Sequence, residues 1–272
     1  MTRVLQFLAT LVLSATALLG QETHELLPDL GRFFDGFKAK GTFVLYDLEQ
    51  NHWIRYNAER AHQRFLPAST FKIFNSLVAL ETGVIADENE IMRWDGVVRW
   101  NAAWNRDQTL RTAFQRSAVW VYQELARRIG ERRMQEYLTR EQYGNEDMSG
   151  GLDGFWLTGN IRISPDEQVQ FLRKLFRGEV GFSARSVRIV KDIMLLEQSV
   201  EYTLRGKTGW AQPPGDSVSN IGWLVGWVEQ KDNVYFFAMN LESSDADFPM
   251  VKARLEILYG ILRKLGVLPV SG

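Results

Sequence analysis

Ile221–Leu241 reads IGWLVGWVEQKDNVYFFAMNL, two apolar runs separated by Gln230-Lys231-Asp232-Asn233. This pattern predicts two strands, Ile221–Glu229 and Val234–Leu241, joined by a hairpin turn. In the first run Trp223, Val225 and Trp227 alternate with Leu224, Gly226 and Val228. Both faces are apolar, as expected of a central strand covered on both sides. Just upstream, Tyr202–Gly206 reads as a third strand. Near the other end of the chain, Gly41–Asp47 (GTFVLYD) and Trp53–Tyr56 read as two more, with Glu49-Gln50-Asn51 near their turn.

Helical patterns fill the middle. Pro67-Ala68-Ser69-Thr70-Phe71-Lys72 opens a helix that continues through Ile73, Phe74, Leu77, Val78 and Leu80 to a stop at Gly83. Further helices are expected over Ala113–Ile129, Pro165–Phe176 and Ser183–Glu197. Proline at a helix start and glycine just past an end punctuate them. A final helix is expected over Phe248–Leu265. The fold class is therefore α/β of the α+β type: an antiparallel sheet built from both chain ends, flanked by terminal helices, with a helical lobe inserted. The sheet lobe covers about 21–63 and 200–272, the helical lobe about 64–199. A cleft between lobes is a favoured place for a small ligand.

The 272 residues carry 32 Lys plus Arg against 33 Asp plus Glu. That balance argues against a polyanion binder, so no nucleic-acid partner is expected. There is no Cys, which removes disulfides, thiol nucleophiles and Cys-ligated metals. The histidines are His24, His52 and His62. None sits in a motif, no His-Glu-x-x-His or Gly-x-Ser-x-Gly occurs, and no metal is expected. Residues 1–20 place Arg3 before an apolar run from Val4 to about Val12, followed by small residues. This is the layout of a secretory signal peptide. A membrane anchor is the alternative, but a span needs about 20 apolar residues. The mature chain, 21–272, is expected to be one exported domain with no membrane segment.

Ser69 and Lys72 lie three apart at a helix start, on one face. A serine hydroxyl needs a base to become a nucleophile, and lysine serves only when uncharged, which burial can achieve. Lys207-Thr208-Gly209 follows a strand and offers a cation, a hydroxyl and an open backbone to a carboxylate ligand. Each motif alone recurs by chance in surface helices and turns.

Together they form an ordered series: Ser69-x-x-Lys72, Ser117-x-Val119, Tyr143-Gly144-Asn145, Trp156-Leu157-Thr158-Gly159 and Lys207-Thr208-Gly209. With Ser69–Ile85, Trp104–Leu110 and Tyr122–Gly130 as surroundings, this series resembles the class D (oxacillinase-type) serine β-lactamases along the whole mature chain. The resemblance implies hydrolysis of the β-lactam ring, conferring antibiotic resistance, in the periplasm. It implies Ser69 as acylated nucleophile and Lys72, carboxylated by carbon dioxide to N6-carboxylysine, as general base. Val119, Leu157 and Trp156 would form the carbamate pocket, with the Trp156 indole donating. Ser117 would relay a proton to the β-lactam nitrogen and Lys207 would support that network. Thr208, Gly209, Trp210 and Arg254 would bind substrate, the backbone N–H groups of Ser69 and Trp210 forming the oxyanion hole. Lys252 and Arg263 compete with Arg254 for the substrate carboxylate. Tyr143-Gly144-Asn145 is expected to be structural. A β-lactam sensor or penicillin-binding protein that acylates without turnover is the alternative. Monomer and homodimer both stay open, as does the substrate spectrum.

Overall fold

The computed structural model describes residues 21–211 and 220–269. The expected signal peptide and the connection Gln212–Ser217 lie outside the described residues. In chain order the elements are β1 (Thr23–Leu26), α1 (Gly31–Asp35), β2 (Lys40–Asp47), β3 (His52–Tyr56), α2 (Ala58–His62), α3 (Lys72–Glu81), β4 (Ile91–Met92) and β5 (Gln108–Thr109). They continue with α4 (Leu110–Gln115), α5 (Val119–Ile129), α6 (Glu131–Glu141), α7 (Pro165–Arg177), α8 (Ala184–Ile193), β6 (Leu195–Gln198), β7 (Tyr202–Ala211), β8 (Asn220–Gln230), β9 (Val234–Ser243) and α9 (Met250–Lys264).

Seven strands form one sheet in the order β1-β3-β2-β9-β8-β7-β6. The chain ends meet where β2 pairs antiparallel with β9, Phe43 opposite Met239. As the alternation in β8 requires, Trp223, Val225 and Trp227 enter the core shared with the helical lobe. Leu224 and Val228 enter a second core under α9. The sheet departs from the expectation at one edge, where β1 runs parallel to β3. His24 therefore belongs to a strand and stacks on Trp53.

Three boundaries differ from the sequence reading. The helix expected over Ala113–Ile129 is broken: α4 stops at Gln115, α5 starts at Val119, and Ser117 between them has φ +54°. The helix expected over Ser183–Glu197 ends at Ile193, and the next residues pair with β7 as an edge strand. Strand pairing here outweighs the helical pattern of the apolar residues. The strand expected over Tyr202–Gly206 runs on to Ala211. Lys207-Thr208-Gly209 is thus inside β7, held by its ladder to β8.

A buried ion pair ties the sheet to the helical lobe. Arg55 of β3 donates through Nε to Asp166 of α7 at 2.9 Å, and His62 Nδ1 lies 2.6 Å from the other carboxylate oxygen. Breaking such a pair leaves a buried charge without its partner. Asp166→Ala is expected to cost about 3 kcal/mol, read as a lower denaturant midpoint. An unchanged midpoint would remove the pair from the forces joining the lobes.

Candidate active site

Ser69 sits in a 3-10 turn, Ala68–Phe71, that leads directly into α3. Several contacts fix this turn. Ala68 has φ +49°, a conformation that costs a non-glycine residue about 1 kcal/mol or more. Thr70 Oγ1 donates to Pro67 O at 2.8 Å and accepts from Gln168 Nε2 at 2.9 Å. From the sheet, Trp223 Nε1 donates to Leu66 O at 2.9 Å. Gly209 of β7 packs so closely that a Cβ there would lie 3.0 Å from Pro67 O. Glycine at this position lets the strand lie against the turn that carries Ser69.

Lys72 begins α3 and is 1% exposed. Its Nζ donates to Ser69 Oγ at 2.9 Å and lies 5.0 Å from the Tyr122 ring centroid. Among the described residues no carboxylate pairs with it. Burial alone brings its pKa down from 10.5 to about 7, because the charged form loses its hydration. An amine that is half neutral near pH 7 can take a proton from Ser69 or react with an electrophile.

The broken helix delivers the second serine. Ser117 occupies the left-handed turn between α4 and α5, closed by Ala118 N–H to Ala113 O at 2.9 Å. Its Oγ accepts a hydrogen bond from Lys207 Nζ, which also donates to Thr208 O at 3.0 Å. Burial, with Lys72 and Arg254 nearby, holds the Lys207 amine well below its ordinary pKa. Helix, strand and turn thus bring two serines and two lysines into two hydrogen-bonded pairs.

A cavity of about 720 Å³ opens over these pairs. Ser69, Ser117, Thr208 and Gly209 line it, with Val119 and Leu157. Trp210 and Arg254 complete the set of expected substrate-binding residues on its wall. Arg254 reaches it from α9, donating through Nη1 to Gly209 O at 2.8 Å. Burial lowers its pKa to about 10. Its rivals do not line the cavity: Lys252 is paired with Glu256 at 3.8 Å, and Arg263 lies over Tyr259.

Trp156 is fully buried, stacked on Phe71 with centroids 5.4 Å apart. Its Nε1 has no hydrogen-bond acceptor among the described residues. An indole N–H can only donate, so the partner suited to Trp156 Nε1 is an oxygen. Tyr143-Gly144-Asn145 supports this region from behind. Gly144 has φ +58°, and a Cβ there would lie 2.0 Å from Arg162 O. Asn145 Oδ1 accepts from Arg162 N–H at 2.7 Å, and its Nδ2 donates to Asn160 O at 2.9 Å. The motif therefore staples the segment that carries Trp156 and Leu157.

Sequence reasoning missed Tyr122 as the ring beside Lys72 and Arg116 as a wall residue of the cavity. Tyr122 could have been found as the position on α5 that turns inward one helical turn after Val119. Arg116 carried no motif. The three histidines do not line the cavity. Among the described residues no group of three or more His, Asp or Glu could hold a metal ion.

Comparison with known proteins matches residues 40–263 to the penicillin binding protein transpeptidase domain. β-Lactamase OXA-48 of Klebsiella pneumoniae is 50% identical over 217 residues, covering 79% of this chain and 80% of the relative. The solved class D β-lactamase YbXI from Nostoc is 46% identical with a TM-score of 0.83, covering 88% of this chain and 99% of that one. The C-terminal domain of the Bacillus licheniformis BlaR penicillin receptor superposes with a TM-score of 0.86 at 38% identity, covering 92% of this chain and all of the receptor domain. Sheet order, paired serines and lysines, and these similarities agree, and the chain belongs to the class D β-lactamases.

Proposed function

We propose that the chain hydrolyses β-lactam antibiotics through an acyl-enzyme on Ser69 and so confers resistance to them. The observation that carries this reading is the Lys72 amine, fully buried, 2.9 Å from Ser69 Oγ and shifted to a pKa of about 7. Ser69 Oγ attacks the lactam carbonyl as its proton leaves toward Lys72. Backbone N–H groups of Ser69 and Trp210 face the carbonyl oxygen as it gains charge. The ring C–N bond breaks, and Ser117, hydrogen-bonded to Lys207, passes a proton to the departing nitrogen. Water then cleaves the ester and releases the ring-opened acid. Thr208 and Arg254 hold the substrate carboxylate, Arg254 as a fork-shaped partner.

The surroundings of Lys72 suit a carbamate on its nitrogen. A neutral amine is the form that adds carbon dioxide, Val119 and Leu157 line the same cavity as Ser69 and would supply apolar cover, and Trp156 Nε1 would supply a donor. Such a carbamate supplies an anionic oxygen base for acylation and for activating the deacylating water. The mechanism calls on no metal. Residues 1–20 act in this reading as a signal peptide, leaving 21–272 as the catalytic domain in the periplasm. Among the described residues no helix is long and apolar enough to cross a membrane.

The likeness to a penicillin-receptor domain favours a second reading, acylation without turnover. Steady-state hydrolysis of a chromogenic cephalosporin separates the two. Many turnovers per enzyme are expected. A single stoichiometric burst would transfer the chain to the receptor reading.

A further inference from the structure

The cavity wall includes a second arginine that the proposed mechanism does not use. Arg116 lines it from the turn between α4 and α5, whereas Arg254 lines it from α9. No Asp or Glu belongs to the cavity wall among the described residues. Arg116 is exposed, and its Nη1 donates to Gln108 Oε1 at 3.1 Å, a neutral acceptor. Among the described residues no carboxylate lies within ion-pair distance of it. Neighbouring arginines differ: Arg93 is paired with Asp107, Arg99 with Asp95 and Arg111 with Glu88.

The backbone beneath this side chain is fixed. Trp104 Nε1 donates to Arg116 O at 2.8 Å, and Trp120 Nε1 donates in turn to Trp104 O at 3.0 Å. The two indoles stitch the Ala102–Trp104 turn to the strained turn that carries Ser117. The Arg116 backbone is thereby held in place without any charge being consumed.

We propose that Arg116 is a second anion-recognising side chain of the cavity, selecting β-lactams whose acylamino side chain carries its own carboxylate. This rests on the reading of the cavity as a β-lactam site. A bicyclic β-lactam such as a penicillin brings one ring carboxylate, for which Arg254 is the partner. A substrate with one carboxylate leaves Arg116 without an anion, whereas a substrate with two satisfies both walls. A cavity edged by positive charge with no carboxylate also raises the local concentration of dianions.

The test compares benzylpenicillin with α-carboxybenzylpenicillin, which differ only in that side-chain carboxylate, on the full-length purified enzyme. The quantity read is the ratio of their kcat/KM values. Arg116→Gln is expected to lower the ratio for the carboxylated compound by about five-fold, the range of a partly exposed charge pair. Arg116→Lys keeps the charge and is expected to keep most of the ratio. Added sodium chloride should lower the ratio in the wild type and leave it flat in Arg116→Gln. A ratio unchanged in Arg116→Gln, or lost equally in Arg116→Lys, overturns the proposal. If the enzyme acylates without turnover, the same ratio is read from acylation rates by quenched mass spectrometry. That result would fail the hydrolase reading and still decide the role of Arg116. Adducts with neither compound would overturn both.

Discussion

Lys72→Ala is expected to leave a folded protein whose kcat/KM falls about 1,000-fold, the span contributed by a positioned general base. Among the described residues the side chain lost makes its hydrogen bond to Ser69 Oγ and lies over the Tyr122 ring. The Lys72 backbone carbonyl, which accepts from Ser76 Oγ at 2.7 Å, is unaffected. Alanine also suits the first turn of a helix. Circular dichroism should therefore match the wild type while turnover of a chromogenic cephalosporin collapses. Near-normal turnover in a folded variant would remove Lys72 from the chemistry, since no other base lies on Ser69 Oγ among the described residues.

The second large effect is one of pH and carbon dioxide. With a pKa of about 7, the Lys72 amine is mostly neutral at pH 8 and about one-tenth neutral at pH 6. Only the neutral amine adds carbon dioxide. In degassed buffer, activity is expected to fall about ten-fold from pH 8 to pH 6, the direction set by a group whose depressed pKa lies between those values. Added bicarbonate should restore it. Trp156→Phe keeps the ring stacked on Phe71 but removes the donor, so it should need more bicarbonate for half-maximal activity. Carbon-13 bicarbonate NMR is the direct check, with a carbamate resonance expected in the wild type and absent in Lys72→Ala. Activity indifferent to bicarbonate after such treatment would leave Lys72 acting as a plain amine.

Much of this was legible from residue order. The alternation in Ile221–Leu241 gave a central hairpin covered on both faces, and the spacing of Ser69 and Lys72 gave one helix face. Other features depend on partners distant in sequence. Ala113–Ile129 has no proline or glycine to announce a break, yet Ser117 turns left-handed there, because the hydrogen bond with Lys207 of β7 exists only in the assembled fold. Leu195–Gln198 carries apolar residues compatible with a helix and becomes a strand because β7 offers an open edge. Arg254 was one of three candidates for the carboxylate anchor on the last helix, and its place on the cavity wall and its contact with Gly209 O separate it from Lys252 and Arg263. The pKa of Lys72 follows from complete burial, which no local pattern reports.

The pairing of β2 with β9 has a consequence for the order of events during synthesis. Phe43 meets Met239, roughly two hundred residues later in the chain. Ser69 and Lys72 leave the ribosome early, but Lys207 and Arg254 follow only near the end. Contacts this far apart slow folding, because the intervening loop must close first. A nascent chain can build helices of the middle segment while its first two main strands still lack their neighbour. The nucleophile therefore stays chemically idle until the last segments arrive, and a chain cut short before β9 would carry the reactive serine without the sheet that equips it.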